Sequence, residues 1–253
     1  MMANNSRRSF LKQTTLLGAA VTAIPEMLKA DVLTAEKIGT DAVILFQGDS
    51  ITDGNRTRDN DWNHVMGHGY ACLLASRLWY DHPEKKFHFY NRGISGNKIT
   101  DLAARWKTDT LALKPDVLSI LIGVNDVQAC VNGDANYSAE NYETGYRALL
   151  KQTKDALPNI KLIICEPFIL PGARVNGNFD KWTEEVAKRQ VIAKKLALEF
   201  GAVFVPLQQP FNDALAKAPV DYWIWDGIHP MPAGHELMAR QWLMVVGKKI
   251  GLV

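Results

Sequence analysis

Cysteine is scarce in this chain, with three in 253 residues, at positions 72, 130 and 165. An odd number cannot pair completely within one chain, and the spacing fits neither a zinc site nor a redox pair. Cys165 ends the apolar run Leu162-Ile163-Ile164-Cys165 and Cys72 lies in a stretch of helical spacing. Both read as small buried side chains; a disulfide through Cys130 has no support and is left open. Charge of one sign is also lacking. Lys and Arg number 29 and Asp and Glu 27, a net charge of +2, too little to argue for nucleic acid or an anionic membrane. No apolar run is long enough to span a bilayer. The phosphate-cradling loops Gly-x-Gly-x-x-Gly and Gly-Lys-Ser/Thr are missing, and no His, Cys, Asp or Glu cluster has metal-ligand spacing. Neither cofactor nor metal is expected. Repeats and low-complexity tracts are absent as well. What remains is ordinary globular usage, 47% hydrophobic and 22% charged, enough for one sizeable core.

The amino terminus stands apart. Ser6-Arg7-Arg8-Ser9-Phe10-Leu11-Lys12 precedes a short, weakly apolar run from Thr14 to Ile24, closed by Pro25. A basic segment before such a run is an export pattern, and the paired arginines resemble a twin-arginine signal. A basic amphipathic first helix is the other reading; the lack of helical alternation favours export. Residues 1–30 are therefore expected to be a bacterial export signal, 31–41 a linker and 42–253 one domain, placed in the periplasm or outside the cell. Cleavage after Ala30 fits an imperfect small-residue site, and no Cys follows the run to carry a lipid.

Beyond the linker, strand-like and helix-like stretches alternate. Runs at Val43–Phe46, Phe87–Tyr90, Val117–Ile122, Lys161–Cys165 and Ala202–Val205 have strand length and composition. Between them, Tyr70–Tyr80, Thr100–Leu113, Ser138–Ala156, Lys181–Phe200 and Met231–Ile250 read as helices, with Thr100-Asp101 a cap candidate. This alternation predicts an α/β fold, a mainly parallel five-stranded sheet with helices on both faces. Val127–Tyr137 and Pro167–Phe179 read as loops at the sheet edge, either walls of a cleft or solvated surface.

The chemistry is at strand ends. Ala42-Val43-Ile44-Leu45-Phe46 runs into Gly48-Asp49-Ser50. In an open α/β sheet that end is where ligands bind, so Ser50 is a candidate nucleophile; alternatively Asp49-Ser50 caps the next helix. The second strand ends in Asn91-Arg92-Gly93, where a glycine N–H can serve an oxyanion or merely a turn. The third ends in Gly123-Val124-Asn125-Asp126, where the Asn125 carboxamide is a second donor or a turn residue. Near the carboxyl terminus, Trp225-Asp226-Gly227-Ile228-His229-Pro230 offers a general base and the carboxylate that would orient it. The other histidines lack such a setting; His64 and His68 lie in a polar loop that either lines the cleft or faces solvent. Trp62, Trp223 and Trp225 are rings that could pack on a sugar or be buried in the core; Asp49, Trp223 and Trp225 are the candidate substrate contacts.

Taken in order, Gly48-Asp49-Ser50, Gly93, Gly123-x-Asn125-Asp126 and Asp226-x-x-His229 resemble the four blocks of the SGNH, or GDSL-type, hydrolase superfamily. The serine is not in a Gly-x-Ser-x-Gly elbow. The only departure is Ile51 where many members carry Leu. Asn91–Asn97, Arg105-Trp106, Leu113–Asp116, Leu121–Asp126 and Trp225–Pro230 look like its acetylxylan esterase branch. The resemblance covers nearly all of the chain after Asp41. It implies a three-layer α/β/α, flavodoxin-like sandwich that removes acetyl esters from plant polysaccharide or its oligosaccharides. In that scheme Ser50 attacks, His229 takes its proton and Asp226 orients His229. The Ser50 and Gly93 N–H groups and the Asn125 side chain hold the oxyanion. The resemblance is also compatible with a homo-oligomer. A lysophospholipase or thioesterase is the alternative, which an extended apolar groove beside Ser50 would favour. A non-catalytic carbohydrate-binding protein would not need the full residue set.

Overall fold

The structure, a computed structural model, describes residues 38–59, 61 and 63–252. The expected export segment, most of the linker and Trp62 lie outside those residues. A parallel sheet forms the middle layer, built from β1 (Val43–Gly48), β2 (His88–Asn91), β3 (Val117–Leu121), β4 (Lys161–Cys165) and β5 (Val203–Val205). Its order is β2-β1-β3-β4-β5, with every neighbouring pair parallel. Central strands of such a sheet are covered on both faces, so they read as unbroken apolar runs. In β1, Ile44 and Phe46 enter one cluster with residues of α2 (Tyr70–Asp81) and α9 (Pro232–Val246), while Leu45 enters the other. That second cluster is shared with α3 (Ile99–Asp109), α5 (Ala139–Ala156) and α6 (Phe179–Glu199). The expected three-layer α/β/α architecture is therefore present.

Four shorter helices occupy the connections: α1 (Ser50–Asp53), α4 (Val124–Val131), α7 (Gln208–Ala214) and α8 (Val220–Trp223). Two elements correct the sequence reading. The stretch 127–137, expected as a loop, is helical to Val131 and then makes a 3-10 turn over Ala135–Tyr137. Its Asn132-Gly133-Asp134 signal marks only where the helix stops. The expected Thr100–Leu113 helix begins earlier, at Ile99, with Lys98 at the cap, and ends at Asp109; Leu111–Leu113 is a separate 3-10 turn. Asp101 is the third helical residue and its carboxylate accepts the Lys98 backbone N–H at 2.8 Å, which is half of a capping box. Ser138 does cap α5, accepting the Asn141 N–H at 3.2 Å.

β1 pairs with β2 on one side and β3 on the other, so chain connections diverge at its carboxyl end. Such a switch point leaves a crevice that helices on neither face can fill. Ser50 is the second residue past the end of β1.

Candidate active site

Asp49 and Ser50 sit where β1 turns into α1. The Asp49 carboxylate accepts the Ile51 N–H at 3.0 Å and caps the helix. Asp49 is 1% exposed, so it does not reach a ligand; the expectation that it contacts substrate is corrected. Capping and presentation of the serine are one device, since the turn that buries Asp49 points the next side chain at the crevice. The Ser50 N–H has no acceptor among the described residues.

The histidine arrives from the far end of the chain. Ser50 Oγ lies 2.8 Å from His229 Nε2, and His229 Nδ1 lies 2.7 Å from Asp226 Oδ2. The carboxylate can only accept, so Nδ1 carries the proton and Nε2 is left to accept from the serine hydroxyl. Asp226 Oδ1 also accepts the N–H groups of Ile228 at 2.9 Å and His229 at 2.8 Å. Burial works to raise the Asp226 pKa; the bonds from His229 and Ile228 outweigh it and hold the carboxyl below its ordinary value. Arg174 Nε, 3.3 Å from Asp226 Oδ2, adds a partly exposed positive charge.

The loop carrying this pair is clasped from two sides. A bridge joins Ile224 and Pro230, and the Trp225 N–H donates to His229 O at 3.1 Å. The segment after β4 lies against it: Leu170 N–H donates to Gly227 O at 3.0 Å and Arg174 N–H to Asp226 O at 2.9 Å. Contact is so close that a Cβ on Gly172 would fall 2.2 Å from Gly227 N. The Pro167–Phe179 loop thus supports the His229 loop. Sequence reasoning did not assign Arg174 or Gly172 a role, because the partners are more than fifty residues away.

The two other expected donors, Gly93 and Asn125, are held by fixed neighbours. Gly93 packs so tightly on α1 that a Cβ would lie 2.3 Å from Asp53 N, which explains the glycine. Its N–H is given to Asn91 Oδ1 at 2.9 Å, while Asn91 Nδ2 donates to the carbonyls of Thr52, Asp53 and Met66. One hydrogen of Asn125 Nδ2 goes to Asn97 O at 3.0 Å, leaving the second available. Asn97 is itself held by Arg105, whose Nε donates to Asn97 Oδ1 at 2.8 Å.

A cavity of about 310 Å³ opens beside Ser50 and His229, lined also by Asn55, His68, Ser95 and Trp225 among others. Trp225 is 59% exposed and stacks over His229, with centroids 6.1 Å apart. Trp223 is elsewhere. Its Nε1 donates to Ala218 O at 3.2 Å and its ring lines a different cavity with Tyr222 and Met244. The expectation that Trp223 contacts substrate beside Ser50 is corrected: Trp223 is the last residue of α8, so the helix directs its ring, whereas Trp225 follows the bridging Ile224. His64 is exposed and bonded to Asp61, whereas His68 reaches the cavity. All three cysteines are free. Among the described residues no group of three or more His, Cys, Asp or Glu is placed to hold a metal ion.

A parallel sheet presenting serine, histidine and aspartate in relay at its switch point defines the class of carboxylic ester hydrolases with this α/β/α fold. The chain belongs to the GDSL-like lipase/acylhydrolase family, which it matches over residues 46–237. An acetylxylan esterase from Geobacillus stearothermophilus is 34% identical over 217 residues, covering 83% of this chain and 96% of that protein. Its crystal structure superposes with a TM-score of 0.74, covering 84% of this chain and 97% of that chain. A protein from Parabacteroides merdae described as a GDSL-like lipase is 44% identical, with a TM-score of 0.80, covering 85% of this chain and all of that one.

Proposed function

We propose that this esterase removes O-acetyl groups from carbohydrate through an acyl-enzyme intermediate. The observation that carries the reading is the unbroken relay from Ser50 Oγ through His229 to Asp226, at 2.8 and 2.7 Å. His229 Nε2 takes the hydroxyl proton as Ser50 Oγ bonds to the ester carbonyl carbon. Asp226 keeps the imidazole in the accepting tautomer and stabilises the imidazolium. The new oxyanion meets the unpaired Ser50 N–H and the second Asn125 N–H. The Gly93 N–H joins when its bond to Asn91 is shared or released. As the tetrahedral intermediate collapses and the bond from the carbonyl carbon to the sugar oxygen breaks, the His229 imidazolium gives its proton to that oxygen and the sugar leaves as an alcohol. Water, deprotonated by His229, releases acetate in the second half.

The substrate class rests on kinship with an acetylxylan esterase and on the cavity, which is small and lined by polar as well as apolar side chains rather than forming an extended apolar groove. That favours a short acyl group over the long chains of a lysophospholipase or thioesterase. An acetylated oligosaccharide or polysaccharide is the partner this implies. Residues 1–30 are proposed to direct export of the folded enzyme, leaving 42–253 as the hydrolase domain, consistent with a substrate met outside the cytoplasm.

The test is to incubate purified protein with acetylated glycans and with acyl esters of increasing chain length, and to measure released acid. Acetate release from glycan, falling with chain length among simple esters, is expected. Preference for long acyl chains would overturn the substrate class.

A further inference from the structure

The mechanism leaves two buried titratable side chains of the cavity unused: Asp53, which is paired with Arg58, and His235. His235, in the first turn of α9, lines the same space as Ser50 and His229, yet is only 5% exposed. Its ring edge lies against the start of α2, where the Tyr70 backbone N–H donates to His235 Nδ1 at 3.2 Å. Gly69 makes this possible, since a Cβ there would approach His235 Cε1 to 3.1 Å. A backbone amide only donates, so Nδ1 is an acceptor and the proton of the neutral ring resides on Nε2. Protonating Nδ1 would break the Tyr70 bond. Burial, with the nearby His68 and His229, also depresses the pKa, to about 4, so the ring stays neutral where esterases work.

His235 Nε2 has no hydrogen-bond partner among the described residues, and it is not among the buried unpartnered atoms. It therefore opens to the cavity it lines. Exposed His68 stands at the mouth, its ring perpendicular to His235 at 6.3 Å. A buried imidazole with fixed tautomer, spending one nitrogen on a helix start and aiming the other at empty space, is a preorganised donor.

We infer that His235 is a substrate-binding residue whose Nε2–H donates to an oxygen of the bound sugar, setting preference for carbohydrate esters over simple ones. This rests on the carbohydrate reading above. The group is neutral and fixed, suited to a hydroxyl or ring oxygen; an acyl chain offers it no acceptor.

Two substitutions separate this role from support of Tyr70. His235→Asn places its carbonyl where Nδ1 stood and removes the donor at Nε2. His235→Gln reaches the Nε2 position with its amide and loses the Tyr70 acceptor. KM and kcat are to be measured on an acetylated xylo-oligosaccharide and on 4-nitrophenyl acetate, with Tm for each variant. His235→Asn is expected to raise KM for the sugar ester about fivefold, as loss of one neutral hydrogen bond does, leaving the aryl ester and Tm near wild type. His235→Gln is expected to lose Tm but keep the sugar preference. Unchanged sugar KM in His235→Asn overturns the inference, as does an equal loss on both esters that follows Tm. A wild type that cleaves the aryl ester but no sugar acetate overturns the carbohydrate reading first, and the inference with it.

Discussion

At the residue scale the site is an arrangement of protons. Asp226 makes three bonds at once, one to the His229 ring and two to backbone N–H groups. Asp226→Asn keeps an oxygen for the backbone donors but removes the charge behind the imidazolium. It is expected to lower kcat on the order of 10³- to 10⁴-fold, with Tm nearly unchanged; a kcat within a fewfold of wild type would count against the relay. Asp49 carries a different kind of prediction. Burial pushes its carboxyl from 3.8 up to about 7, against the pull of the Ile51 N–H, and burial does the same to Asp126. Both groups hold their protons more tightly folded than unfolded. Their contribution to stability therefore grows as pH falls from about 7 toward 4 and is lost as pH rises through that window. Asp49→Asn preserves the cap and removes the titration. Its Tm is expected to vary less across that window than wild type, and to match or exceed it at about pH 8. Parallel Tm–pH curves for the two proteins would show that Asp49 titrates normally.

At the scale of elements, the strands that position the site were legible from composition. Val43–Phe46 and Lys161–Cys165 are apolar because both faces of the sheet are covered, and no helix-period pattern competes there. Short helices were not legible. α1 and α8 span four residues each, too few for a periodic signal, and α4 follows a strand with only one turn's warning before Asn132-Gly133. Long-range caps are invisible for another reason: the Ile99 N–H that opens α3 is accepted by Asp126, on α4, and nothing local announces it. The loop after β4 shows the consequence for function. Its Gly172 backs directly onto Asp226 and Gly227, so Gly172→Ala must shift one loop against the other and is expected to disturb the placement of His229. We expect a stability cost of about 1–3 kcal/mol and a fall in kcat that exceeds what the loss of folded protein explains. Wild-type kcat per folded molecule would mean that the loop yields without moving His229.

At the scale of the molecule, the four blocks meet because each follows a different strand or the last loop at one edge of a parallel sheet. That convergence is what the sequence alone supports least and the order β2-β1-β3-β4-β5 supplies. Serine, histidine and aspartate were identifiable by type and setting; Asp49 and Trp223 were misassigned because Asp49 turns inward to cap α1 and Trp223 closes α8, a helix too short to announce itself. Ile38 is anchored by its N–H to Gly251 O and by its buried side chain. Deleting residues 1–34 is accordingly expected to leave Tm and kcat unchanged, and a protein that no longer folds would assign that segment to the domain. The central claim, that Ser50 becomes acylated, is tested most directly by acid-quenching the enzyme during turnover of an acetyl ester and mapping its peptides by mass. One acetyl group on the peptide containing Ser50, absent from Ser50→Ala, is the predicted result. Full turnover by Ser50→Ala, or an acetyl group carried on another side chain, would contradict it.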